Sequence, residues 1–234
     1  MSDVGGIGML MARSGSKRLP GKNIRLFAGK PMFMWAMEAL LRHGGFSRVI
    51  VSTDSREIAR LAEAAGAEVP FIRPEKLAND NASTFMVMKH AMEFLRDRGD
   101  EFASICCTYG TSAFLTDAYL NSARELLKDA EVVFAATRFE HPIQRGFLIE
   151  NGEAVFPNRA AMRERTQDLP SYYHDVGMLY WVKSQVLMDD SPNPHFSDYR
   201  VRPLVLSRGE VVDIDDEDDW IAAERLFAKK RATC

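Results

Sequence analysis

Three consecutive segments near the N-terminus decide the fold: Ile7-Gly-Met-Leu-Met-Ala12, Arg13-Ser-Gly-Ser-Lys-Arg-Leu-Pro-Gly-Lys-Asn23 and Met32-Phe-Met-Trp-Ala-Met-Glu-Ala-Leu-Leu41. The first is an apolar run of strand length, the second a basic loop with small residues, and the third carries apolar residues at helical spacing. Outward from this unit the same rhythm repeats. Val49 to Ser52 reads as a strand, and the Ala-rich pattern of Ser55 to Ala65 as a helix ended by Gly66. Glu68 to Phe71, Ser104 to Thr108 and Val132 to Thr137 read as further strands, with helices over Thr84 to Arg98 and Thr116 to Lys128. The alternation predicts an α/β protein with a largely parallel, Rossmann-like sheet flanked by helices. Its ligand site belongs at the C-terminal ends of the strands.

After Thr137 the rhythm breaks. Gly146 to Phe156 resembles a hairpin turning at Asn151-Gly152, and a long Arg-rich polar segment follows. Residues 139–175 are therefore expected to be an insertion in a single domain spanning 1–234. Strand patterns return at Val176 to Val182, Val201 to Leu206 and Val211 to Ile214, and an amphipathic helix from about Glu217 to Lys230 follows.

Composition narrows the function classes. Of the 234 residues, 46% are apolar and 27% charged, the balance of an ordinary globular chain. No apolar run approaches the ~20 residues of a membrane span and the N-terminus has no signal-peptide pattern, so a cytoplasmic location is expected. A net charge of −3 speaks against an electrostatically driven binder of nucleic acid or anionic membrane. Cys106, Cys107 and Cys234 have no zinc-ligand spacing; reduced thiols are expected, the adjacent pair inside a strand. His43, His90, His141 and His195 are isolated and read as surface or capping residues.

The basic loop stands out in an acidic protein, because Arg13, Lys17, Arg18, Lys22, Arg25 and Lys30 all precede the next acid, Glu38. Small residues such as Ser14, Gly15 and Ser16 let backbone N–H groups approach an anion, and the long cationic side chains suit a polyphosphate. Its place after the first strand favours this over a merely solvated loop. Two familiar phosphate motifs are excluded. A Walker loop has four residues between its glycines and Ser or Thr after the Lys, whereas residues 16–20 separate Gly15 from Gly21 and Asn23 follows Lys22. Gly6-Ile-Gly8 has Met11 where a dinucleotide fingerprint needs its third glycine.

Arg13-x-x-Ser16-Lys17-x-x-x-x-Lys22-Asn23 resembles the N-terminal signature of the acylneuraminate (nonulosonic acid) cytidylyltransferases, which join an acidic sugar to CMP using CTP. The resemblance continues through Ser52-Thr-Asp54, Arg73-Pro74 and Leu77-Ala78 to an acidic C-terminal motif. One departure is Met11, where the family usually has Pro. Cys106-Cys107-Thr-Tyr109, Phe134-x-Ala136-Thr137-Arg138-Phe139, Pro142-Ile-Gln144-Arg145, Arg165-x-Gln167-Asp168 and His174-Asp175 look most like the pseudaminic acid branch. The sialic acid branch usually carries Gln-Pro-Thr-Ser-Pro where Tyr109-Gly-Thr-Ser-Ala113 stands here. The same chemistry on N-acetylneuraminic acid, legionaminic acid or Kdo is the neighbouring reading, and a catalytically silent nucleotide-binding regulator the distant one.

The resemblance implies a nucleotide-diphospho-sugar transferase type of fold, CTP and a nonulosonic acid as substrates, and a homodimer. It implies nucleotide contacts at Ala12, Arg13, Ser16, Lys17, Lys22, Asn23, Arg73 and Ser83, with Arg13, Lys17 and Lys22 as the catalytic charges. Sugar contacts are implied at Tyr109, Gln144, Arg145, Arg165, Gln167, His174 and Asp175. Val211-Val-Asp213-Ile-Asp215 carries two carboxylates one residue apart, which on an extended chain share a face while Ile214 points inward. Hard oxygen ligands beside a phosphate site suit Mg²⁺. No general base is evident.

Overall fold

The computed structural model describes residues 5–191 and 194–232; the expectation for Cys234 lies outside the described residues. In chain order the elements are β1 (Gly6–Met11), the two-residue strands β2 (Leu26–Phe27) and β3 (Lys30–Pro31), α1 (Met32–His43), β4 (Phe46–Ser52), α2 (Arg56–Ala64), α3 (Thr84–Arg96), β5 (Ser104–Tyr109), α4 (Asp117–Lys128) and β6 (Val132–Arg138). Then follow β7 (Leu148–Glu150), β8 (Glu153–Val155), β9 (Tyr173–Lys183), α5 (Ser184–Leu187), β10 (Val201–Leu206) and α6 (Glu217–Ala232). The main sheet has six strands in the order β10-β6-β9-β5-β1-β4. All its pairings are parallel except the two made by β9, which is antiparallel to both β5 and β6.

Side-chain alternation builds a core on each face of this sheet. Leu10, Cys106, Val133 and Trp181 face α1, α2 and α4, while their neighbours Met9, Cys107, Val132 and Val182 face α3 and α5. Both cysteines are free and fully buried, and burial pushes the Cys107 thiol up to about 12, so they serve as small core residues. A third cluster, with Phe27, Phe114, Ile214, Trp220 and Phe227, seats α6 against the β2–β3 ladder. The helix starts use oxygen-bearing caps: Ser55, Ser83 and Thr116 accept from the N–H groups of Ile58, Met86 and Tyr119. His195 caps the short turn Phe196–Asp198 through its ring, Nδ1 accepting from the Ser197 N–H at 3.1 Å.

Two expected strands are corrected. Glu68 to Phe71 makes only isolated parallel bridges to the β4 side, Ile50 with Glu68 and Thr53 with Ile72. Val211 to Ile214 joins no ladder of the described strands, and side chains bind the end of the run and the residues after it. Lys22 Nζ donates to the Ile214 carbonyl at 2.9 Å, and the Asp219 carboxylate accepts from the N–H groups of Asp215 and Asp216. The hairpin expected at Asn151-Gly152 is β7–β8, whose turn residues have φ of 52° and 86°, the conformation that favours Asn-Gly.

Candidate active site

β1 lies between β4 and β5, so the chain leaving its C-terminal end emerges where the strand order reverses, the usual ligand position in an open α/β sheet. A cleft of about 480 Å³ opens there, lined by Arg13, Lys22, Asn23, Arg73, Asp80, Thr84, Tyr109, Asp175, Tyr180, Asp213 and Asp215 among others. That volume falls within the roughly 300–1,000 Å³ of small-molecule sites.

Asn23 fastens one end of the basic loop: buried, it donates from Nδ2 to the Arg13 carbonyl at 2.8 Å. Gly110 is needed beside it, since a Cβ there would run into Asn23 Oδ1. The loop's cations meet two carboxylates. Asp80 receives Arg13 at 2.7 Å and Lys17 at 2.8 Å, and these two cations hold its carboxyl below the usual range. Asp215 receives Arg18 at 2.6 Å and Lys22 at 3.5 Å. The Ser14 backbone N–H is occupied by Asp54 at 2.7 Å, so in this arrangement it is not free to receive an anion.

Asp213 and Asp215 share the cleft as the strand reading required, with Ile214 fully buried between them. Desolvation and the neighbouring Asp215 charge raise the Asp213 carboxyl. Asp175 comes to the same place from β9. A turn at Gly177, φ +59°, aims it inward, and a Cβ on Gly177 would stand 3.4 Å from both Asp213 Oδ1 and the Tyr109 ring. Asp175 accepts from the Gly177 N–H at 2.8 Å and from the Tyr180 hydroxyl at 2.5 Å. The Tyr109 hydroxyl donates to Tyr180 at 3.5 Å and pairs with Thr84 at 2.5 Å. Burial raises both phenols, keeping them protonated. Arg73 is 5% exposed, bonded by Nε to Ser52 Oγ at 2.9 Å and by Nη2 to the Ser52 carbonyl.

The cleft thus gathers Arg13, Lys22, Asn23, Arg73, Tyr109, Asp175, Asp213 and Asp215. Lys17 joins at the rim through Asp80. Ala12 is buried and bonded to the Ser52 carbonyl, Ser16 lies half-buried in the loop, and the Ser83 hydroxyl is spent as the cap of α3. The remaining sugar candidates sit on the insertion and do not line this cleft. Gln144 donates to the Pro170 carbonyl, Arg145 to Thr166, and Arg165 to Asp168. Gln167 is exposed, and His174 packs its ring on Phe139. Sequence reasoning missed Asp80, Thr84 and Tyr180. Only a charge count along Asn79-Asp80-Asn81, opposite the basic loop, offered a signal for the first.

Residues 7–186 match the sequence profile of the family described as Cytidylyltransferase. The chain belongs to the cytidylyltransferase family. It is 36% identical over 224 residues to a pseudaminic acid cytidylyltransferase of Campylobacter jejuni, covering 94% of each chain. It is 31% identical over 230 residues to a CMP-N,N′-diacetyllegionaminic acid synthase of Legionella pneumophila, covering 94% of this chain and 95% of that one. Among solved structures, a CMP:2-keto-3-deoxy-manno-octonic acid synthetase complexed with CTP superposes with a TM-score of 0.71 at 19% identity, covering 97% of this chain and 99% of that one. This likeness confirms the Rossmann-like nucleotidyltransferase fold.

Proposed function

We infer that this cytidylyltransferase joins pseudaminic acid to CMP: the anomeric hydroxyl attacks the α-phosphate of CTP in line and pyrophosphate leaves. The carrying observation is that one cleft at the switch point holds the cations of the basic loop together with Asp213 and Asp215. The similarity to pseudaminic acid cytidylyltransferases over 94% of the chain supports this choice of acceptor.

In this reading the triphosphate takes Arg13 and Lys17 from Asp80, while Lys22 stays close to the reacting phosphate through its bond to the Ile214 carbonyl. Charge grows on the bridging and leaving oxygens, and fixed cations lower the barrier by meeting it there. Mg²⁺ fits the acidic pair. Asp213 and Asp215 line the cleft beside the basic loop, and Mg²⁺ characteristically uses one or two carboxylates, water and substrate phosphates. Asp213 and Asp215 would hold it, and when bound it supplies positive charge to the phosphates.

Tyr109 and Asp175 would meet the sugar from within the cleft. Gln144, Arg145, Arg165, Gln167 and His174 would reach an acceptor site only in a homodimer, across the insertion. Ile143, Phe147, Leu148, Ile149, Tyr172 and Tyr173 on that insertion are all exposed, and an exposed apolar concentration of this kind supports an interface there. A cytoplasmic location suits a CTP-dependent enzyme; among the described residues no helix is long and apolar enough to cross a membrane.

Mass spectrometry of products from CTP and a panel of sugar acids tests the acceptor. CMP-pseudaminic acid as the dominant product is expected; N-acetylneuraminic or legionaminic acid used as well or better would overturn the sugar assignment.

A further inference from the structure

The motif Ser52-Thr53-Asp54 runs out from the end of β4 and does not itself line the cleft, yet each of its side chains has a defined partner. Ser52 Oγ accepts from Arg73 Nε at 2.9 Å. Thr53 Oγ1 accepts from the Ser55 N–H at 3.0 Å, where α2 begins. Asp54 grips Ser14 with both oxygens: Oδ1 accepts from the backbone N–H at 2.7 Å and Oδ2 from the hydroxyl at 2.6 Å.

The grip matters because little else holds that stretch. Among the described residues, no backbone-to-backbone hydrogen bond involves residues 13–18. The other tethers are the Asn23 bond to the Arg13 carbonyl and the ion pairs to Asp80 and Asp215. A polyphosphate would compete for those ion pairs, whereas the Asp54 bonds to Ser14 use none of the loop's cations. Charge-assisted bonds to backbone N–H groups are among the stronger ones available.

We propose that Asp54 is a positioning residue, which fixes the basic loop through Ser14 so that Arg13 and Lys17 are presented to the triphosphate of CTP. Its neighbour Ser52 does the same for Arg73, making the end of β4 a common support for the cationic side of the cleft. The proposal rests on the CTP-dependent reading of the cleft.

The test compares Asp54→Ala, Asp54→Asn, Ser14→Ala and the double variant Ser14→Ala/Asp54→Ala, using steady-state kinetics, calorimetric binding of inorganic triphosphate, and thermal melting. Asp54→Ala should lower kcat/KM for CTP about tenfold or more, from the loss of a charge-assisted bond pair. Asp54→Asn should recover part of that, because its carbonyl oxygen retains one acceptor. The double variant should lose less than the product of the single losses, since both changes break one contact. The KM for the sugar acid at saturating CTP should stay within twofold. Triphosphate binding should weaken in parallel even if the enzyme proves to use another nucleotide, which separates failure of the clamp from failure of the CTP reading. The proposal is overturned if Asp54→Ala keeps parental kcat/KM and triphosphate affinity, if the losses of the two single variants multiply, if sugar KM changes as much as CTP KM, or if the parent binds no triphosphate.

Discussion

Asp80 neutralises Arg13 and Lys17 at once, which makes it a competitor for the site a triphosphate needs. Asp80→Asn should therefore lower the KM for CTP by about two- to fivefold, the range of an exposed ion pair; an increased KM would instead mean that Asp80 helps to bind the nucleotide. Arg25 presents the opposite case. It belongs to the same basic cluster but is committed elsewhere, doubly bonded to Glu217 at 2.6 and 2.7 Å and stacked 4.4 Å over Trp220. Arg25→Ala should lower Tm slightly, through loss of the solvent-screened pair with Glu217 and of the stacking on Trp220, with kcat/KM nearly unchanged. Arg13→Ala should cut kcat/KM for CTP about tenfold to a hundredfold through loss of a charge-assisted contact. Residue types in the loop were legible in the sequence; the partner of each cation was not, because Asp80 and Glu217 are brought in by tertiary packing.

At the scale of elements, the alternation of apolar runs revealed the six strands of the main sheet and the longer helices, but not β2, β3 or α5, which are too short to carry a period. What it could not give was strand direction. Val176 to Val182 has the composition of a buried strand in either orientation, and only the return path through the insertion makes β9 antiparallel. Val211 to Ile214 alternates like a strand, yet it joins no ladder, and Lys22 binds its last carbonyl. That unpaired run lets Asp213 and Asp215 enter the cleft. Desolvation and Asp215 raise the Asp213 carboxyl, so above its folded pKa the ionised group weakens the fold relative to the unfolded chain. Asp213→Asn should thus raise Tm at neutral pH, the gain disappearing as pH falls below the unfolded value of about 3.9. In the same variant turnover should fall by roughly a hundredfold or more. A Tm reduced at neutral pH would contradict this electrostatic account of the acidic pair.

For the whole molecule, the sheet and the cleft form within one chain, while the insertion presents its apolar side outward. Ile149 is 75% exposed and Leu148 55%, and with Phe147 beside them at 54% they are the residues on which the proposed dimer contact rests. Ile149→Asp with Leu148→Asp should shift a dimer to a monomer in analytical ultracentrifugation and raise the KM for the sugar acid more than that for CTP; a parent already monomeric would remove the dimer proposal. The most direct measurement of the central claim is ³¹P NMR of CTP with pseudaminic acid, Mg²⁺ and the protein. The account predicts a sugar-linked CMP phosphodiester resonance growing in equal amount with pyrophosphate, and abolished in Asp215→Asn. Unchanged CTP, or its conversion to CDP and phosphate without a diester, would contradict it.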